Sequence, residues 1–126
     1  METFSITSAV KQYPKHPYEK IKNDILGKRY ILSLAFIGGT TAQKLNKEHR
    51  QKTYVPNVLS FPLTDDTGEI FITPAVAKTE AKKFSMTVDG YIGFLFVHAL
   101  LHLKGLDHGD TMDKAEKKYC LKYDLR

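Results

Sequence analysis

Val97-His98-Ala99-Leu100-Leu101-His102-Leu103-Lys104-Gly105-Leu106-Asp107-His108 is the stretch around which the chain is organised. It places three of the five histidines at the spacing H-x3-H-x5-H, at the end of an apolar run that begins at Tyr91. Histidines four residues apart lie one above the other on a single helix face. Gly105 can take the left-handed conformation that closes a helix, so the chain can turn back and deliver His108 to the same face. A buried helix gains nothing from two imidazoles on one side, because each brings a polar nitrogen that needs a partner. A shared cation satisfies both. Three converging imidazoles with a fourth position open to water form the site that catalytic zinc prefers. The pattern predicts one zinc ion per chain on His98, His102 and His108, with other imidazole-binding divalent ions as alternatives.

The same spacing, read as H-x-x-x-H-x-x-G-x-x-H, differs at one position from the metzincin protease pattern. In those enzymes a glutamate follows the first histidine and acts as general base; here Ala99 stands there. Removing a positioned base costs about two to four orders of magnitude in rate, which argues against peptide hydrolysis. A phosphodiester suits such a site better. Zinc alone brings the pKa of its water near neutrality, and an anionic transition state can be held by an arginine or a divalent cation.

Working outward, Thr87 is a capping residue for a helix over Val88–Lys104 that is apolar on nearly every side, the mark of a helix buried in mid-domain. Asp89 in its first turn and Lys104 in its last each suit the macrodipole. Upstream, Glu2–Thr7 alternates as a short strand, Pro17–Leu26 has helical spacing, and Arg29–Ile37 reads as a central strand, so a right-handed crossover with parallel pairing is expected. Thr40 or Thr41 is expected to cap a second helix ending near His49, followed by an irregular polar segment, Arg50–Pro56. Val58–Leu63 and Glu69–Ile72 read as a hairpin around Thr64–Gly68. Thr73-Pro74 starts a helix to about Ser85, and Asp110 or Thr111 caps a last one. The expected architecture is a single α+β domain over residues 1–126, with the histidine helix buried at its centre.

The length of 126 residues allows one sizeable core, and 42% hydrophobic with 26% charged residues is ordinary for a globular chain. Cys120 is the lone cysteine, which excludes a disulfide framework and a cysteine-based zinc site. No secretory pattern opens the chain, and Tyr91–Val97 is too short to span a bilayer, so a cytoplasmic location without membrane association is expected. The net charge of +5 permits a phosphate-rich partner without demanding one. Lysines 78, 82, 83, 114, 117 and 118 form helical charge faces that ordinarily only solvate a helix but can also hold an RNA backbone.

The segment His98–His108 resembles the signature of the YbeY family, bacterial rRNA maturation factors regarded as metal-dependent single-strand endoribonucleases. Leu45-Asn46-Lys47-Glu48-His49-Arg50 resembles its Leu-Asn-x-x-Tyr-Arg, Val58-Leu59-Ser60-Phe61-Pro62 matches its Val-Leu-Ser-Phe-Pro, and Gly68-Glu69-Ile70-Phe71-Ile72 resembles its Gly-Asp-Ile-x-Ile. The resemblance covers roughly residues 30 to 115. It implies a mixed sheet of about four strands with the ligand helix buried behind it, and zinc on His98, His102 and His108. It also implies a catalytic group formed by those histidines and Arg50, the arginine lying in the cleft near the metal and suited to a phosphate. The implied function is zinc-dependent endoribonuclease action in maturation of the small-subunit rRNA 3′ end and in ribosome quality control, with metal-bound water attacking a phosphodiester. The implied partners are single-stranded RNA and the small ribosomal subunit. Alternatives are a ribosome-associated RNA-binding factor with a structural zinc, or a hydrolase of other substrates. The chain departs from the family at Ala99 (commonly glycine), Leu106 (tyrosine or phenylalanine), Pro56-Asn57 (usually Thr-Asp) and His49 (tyrosine). None of these is a proposed ligand.

Overall fold

In the computed structural model, which describes residues 2–126, the elements are β1 (Phe4–Ser8), α1 (Tyr18–Leu26), β2 (Ile31–Phe36), α2 (Gly39–Arg50), β3 (Val58–Thr64), β4 (Thr67–Ile72), α3 (Pro74–Glu80), a 3-10 turn (Ala81–Phe84), α4 (Val88–Leu103) and α5 (Asp110–Lys122). The four strands form one mixed sheet in the order β1-β2-β4-β3. β1 and β4 both pair parallel with β2, while β3 runs antiparallel to β4 and forms an edge. The parallel β1-α1-β2 unit and the β3-β4 hairpin are the ones expected from the alternation.

Alternation decides which face of the sheet is covered. Leu32, Leu34 and Phe36 of β2 are buried and stand beside Gly68, Ile70 and Ile72 of β4 in register. With side chains at i, i+2 and i+4 on one face, these residues make a continuous apolar surface. The cluster they enter also holds Ile92, Leu95, Phe96, Ala99 and Leu100 of α4, and Tyr18, Ile21 and Ile25 of α1. Ten of the sixteen residues of α4 are buried, so this helix lies inside the domain as its all-round apolar character requires.

Two features fix α4 along its axis. Thr87 caps it as expected, its hydroxyl accepting from the Gly90 amide at 3.0 Å and donating to the Arg126 carbonyl at 2.7 Å. The chain's last residues press so closely on this end that a Cβ at Gly90 would lie 2.2 Å from the Arg126 carbonyl oxygen. At the other end Gly105 has φ +106°, and the Gly105 and Leu106 amides donate to the carbonyls of His102 (2.9 Å) and Leu101 (3.0 Å), closing the helix.

Several boundaries differ from those expected. The N-cap of α2 is Gly38, with Gly39, Thr40 and Thr41 inside the helix, and no side chain caps it. Gly109 takes the N-cap of α5 in the same way, with Asp110 and Thr111 following as helical residues. The N-cap thus lies two residues before Thr40 in α2 and one residue before Asp110 in α5. The helix expected over residues 74 to 85 ends at Glu80 and tightens into the 3-10 turn, with Ser85 left-handed at φ 56°. Arg50 closes α2 instead of opening an irregular segment.

Candidate metal centre

His98 and His102 lie one turn apart on the exposed side of the last two turns of α4, and His108 follows the Gly105 turn. One nitrogen from each of the three rings lies within 4.8 Å of the others. Ring centroids are 4.6 Å apart for His98–His102, 5.5 Å for His98–His108 and 5.1 Å for His102–His108. The structure therefore brings together all three histidines read from the sequence. Two of them are partly buried and His108 is exposed. His16 and His49 stand elsewhere: His16 Nε2 donates to the Asp89 carbonyl at 2.7 Å, and the ring of His49 packs 5.1 Å from Phe61.

The hydrogen bonds on the far side of the rings show what the near side needs. His102 Nδ1 lies 3.1 Å from the Leu106 carbonyl oxygen, which can only accept, so Nδ1 carries the proton. His98 Nδ1 lies 2.5 Å from the Glu116 carboxylate, which likewise favours a proton on Nδ1. The two Nε2 atoms face each other 3.1 Å apart. Nitrogens on tetrahedral zinc, with bonds of about 2.0–2.1 Å, stand roughly 3.3 Å apart, so the spacing of the His98 and His102 nitrogens suits two ligands of one ion. Burial, and then the neighbouring His98 and His108, push the His102 pKa below its usual value, which keeps the ring in its neutral, ligating form. The Glu116 carboxylate orients the His98 ring, as the usual second partner of a metal-bound imidazole does.

These rings form one wall of a cleft of about 480 Å³, whose opposite side is built from Arg50, Tyr54, Asn57, Val58, Leu59, Ser60 and Pro62. Arg50, the fourth residue singled out in the sequence, thus lines the same cleft. Its guanidinium donates to Asn46 Oδ1 at 3.2 Å, while Asn46 Nδ2, fully buried, donates to the Tyr54 carbonyl at 3.0 Å. A single amide in the preceding helix turn therefore holds both the arginine and the loop beyond it. Asn57 is locked too: its Nδ2 donates to Glu80 at 3.0 Å, and its Oδ1 accepts from the Val58 amide at 2.7 Å. Tyr91 donates to the same Glu80 oxygen at 2.9 Å, and burial together with that carboxylate pushes the phenol up to about 12.

No Asp or Glu is among the described residues lining this cleft, and Ala99 occupies the position beside His98. The site offers three imidazoles that could hold a metal ion, an arginine and neutral polar groups, without the glutamate a peptidase would use. A larger groove of about 730 Å³ lies at the other end of α4, against Val88, Asp89 and Ile92, with Lys11, Lys15 and Lys78 on its rim. It contains none of the three clustered histidines.

Glu116, Asn46, Tyr54 and Ser60 complete the site. Asn46 and Ser60 carried a signal in the sequence, through their places in the Leu-Asn-x-x-Tyr-Arg and Val-Leu-Ser-Phe-Pro segments. Glu116 sits in a charge-rich helix stretch, Asp113-Lys114-Ala115-Glu116-Lys117-Lys118, that reads as a solvated face until the packing of α5 on α4 is known.

The family described as Endoribonuclease YbeY matches residues 2–122 of this chain. The chain is 36% identical over 112 residues to Endoribonuclease YbeY of Mesoplasma florum, an alignment covering 80% of this chain and 63% of that protein. The Alkaliphilus metalliredigens relative of the same description is 36% identical over 100 residues, covering 71% of this chain and 64% of the relative. That of Helicobacter pylori is 36% identical over 104 residues, covering 79% and 72%. The chain thus spans slightly less than two thirds of the length of the first two relatives. Its fold is similar to the solution structure of TM1509 from Thermotoga maritima, with a TM-score of 0.64 at 23% identity, covering 92% of this chain and 85% of that one.

Proposed function

The chain belongs to the YbeY family, and from that premise we propose that it is a metal-dependent endoribonuclease that cleaves single-stranded RNA, acting with the small ribosomal subunit in maturation of the rRNA 3′ end and in ribosome quality control. The observation that carries this reading is the pair of inward-facing Nε2 atoms 3.1 Å apart, set in a cleft whose one cationic side chain is Arg50. We propose zinc as the ion, one per chain on His98, His102 and His108. When bound there, zinc supplies Lewis acidity and a water acidic enough to act near neutral pH.

The protein's own residues do the rest. Arg50 presents a fork of N–H donors matched to phosphate oxygens and neutralises charge that grows as the phosphodiester is attacked. Asn46 keeps that fork in place before RNA arrives, so little order is lost on binding. Glu116 holds His98 in the tautomer that leaves Nε2 free, and the Leu106 carbonyl does the same for His102. Among the described residues no single helix is long and apolar enough to cross a membrane; the proposed site of action is the cytoplasm, where its substrate is made.

The test is metal analysis beside cleavage of a defined single-stranded RNA. Wild type should hold one ion per chain, and Arg50→Ala should keep the metal yet lose about 100-fold or more in rate. Undiminished cleavage by a metal-stripped protein carrying both His98→Ala and His102→Ala would refute the reading. Chelation that unfolds the chain, with no cleavage tracking the metal, would favour a structural ion.

A further inference from the structure

Among the described residues four large apolar side chains are more than half exposed: Tyr54 (53%), Leu63 (57%), Phe84 (59%) and Leu121 (85%). Single exposed apolar residues are ordinary, and three of these lie away from the metal cleft. Tyr54 alone lines it.

Its backbone is tied down in an unusual way for a loop. The Tyr54 carbonyl accepts from buried Asn46 at 3.0 Å, the preceding Thr53 carbonyl accepts from Gln43 at 2.7 Å, and the Lys52 amide donates to the Asn46 carbonyl at 3.2 Å. The loop is thereby fastened to α2 on both sides of its turn. Its tyrosine ring remains in water, and its hydroxyl makes no hydrogen bond among the described residues. Asn46 also receives the Arg50 guanidinium, so one buried amide sets both the phosphate-binding group and the aromatic ring.

We propose that Tyr54 is a base-stacking platform: the nucleobase next to the phosphate held by Arg50 lies against its ring. The assignment rests on the endoribonuclease reading above and deepens it by naming how the substrate's bases are engaged. Single strands are gripped by a cationic group on the backbone together with aromatic faces under the bases, and this cleft supplies one of each on a shared support. A stacked base is sequence-tolerant, because every base has a π-face. Tyr54 therefore contributes affinity for single strands over duplexes, whose bases are already stacked on one another, and does not select a particular base.

The chain has no tryptophan, so Tyr54→Trp carries its sole indole at the proposed platform. Wild type, Tyr54→Phe, Tyr54→Leu and Tyr54→Trp, all loaded with metal, are titrated with a labelled single-stranded RNA of phosphorothioate linkages and with an abasic oligomer of equal length. Tyr54→Leu should bind the RNA about 5- to 150-fold more weakly, Tyr54→Phe should bind like wild type, and all should bind the abasic oligomer alike. The Tyr54→Trp fluorescence should be quenched by RNA and not by the abasic strand. If wild type binds RNA while Tyr54→Leu binds it equally well and the indole is not quenched, the platform is overturned and the endoribonuclease reading stands. If wild type binds neither oligomer, both fall. A wild-type dimer in solution that Tyr54→Leu dissociates would assign the ring to self-association instead.

Discussion

The two ends of α4 are built on opposite terms. At the amino end the side chains are surrendered to packing: Gly90 lets the Arg126 backbone approach, and Thr87 closes the local hydrogen bonds on both partners. At the carboxyl end the helix keeps polar rings, ties their outer nitrogens to Glu116 and Leu106, and leaves the inner ones facing each other. The first arrangement is complete without any ligand. The second leaves converging nitrogens free to take a metal ion. One helix thus serves as a structural member along its first half and as a binding site along its last two turns, and the two roles should separate under mutation.

The sharpest separation is expected from His102→Ala. Loss of a ligand should lower metal affinity by more than about 100-fold, beyond what loss of a supporting partner costs. The metal-free variant should stay folded, because His102 is only partly buried at the end of the helix; calorimetry with and without chelator checks both. Gly90→Ala should do the reverse. Overpacking against backbone costs about 1–3 kcal/mol, visible as a lower denaturation midpoint, with metal stoichiometry unchanged. Glu116→Gln is intermediate: the fold should hold, and metal affinity should fall about 10- to 100-fold in a competition titration. The smallest effect belongs to the pair that pins α5 to α1. Lys122 Nζ lies 2.6 Å from Asp24, and Tyr123 donates to the same carboxylate at 2.7 Å. These partners hold the Asp24 pKa below its usual value. Its contribution is therefore present above the ordinary carboxyl range, about pH 3.9, and disappears as pH falls through the depressed folded value. Lys122→Ala should cost under about 1 kcal/mol near neutral pH and nothing in strong acid, measured by urea unfolding at the two pH values.

The contrast also marks what could be read from residue order. The histidines were legible because their spacing along one helix and across one glycine turn is local, and the strands because short apolar runs end at turn residues such as Gly38-Gly39 and Thr64–Gly68. Caps were misplaced where glycine backbone did the work that Thr40, Thr41, Asp110 and Thr111 were expected to do. The α-helix after Pro74 is shorter than expected, since nothing in Ala81-Lys82-Lys83-Phe84 opposes a helix; the change to a 3-10 turn comes just before a 102° bend between Phe84 and Val88 that redirects the chain into α4. Glu116 and Tyr54 escaped notice for another reason. Their meaning depends on partners that no periodicity brings together: Glu116 is 18 residues from His98, and Tyr54 reaches the histidine cleft only through the fold.

The strand that floors that cleft has a further consequence. β3 is an edge of the sheet, and an exposed edge is a template on which a second chain can build. Here the strand carries Pro62, which offers no amide donor, and its pairing with β4 slips between Pro62 and Thr64. Both features spoil the regular ladder that an incoming strand would extend. The wall beside the metal is thus a poor mould for another polypeptide, and the cleft is protected from being sealed by the protein's own kind while staying open to a flexible polyanion.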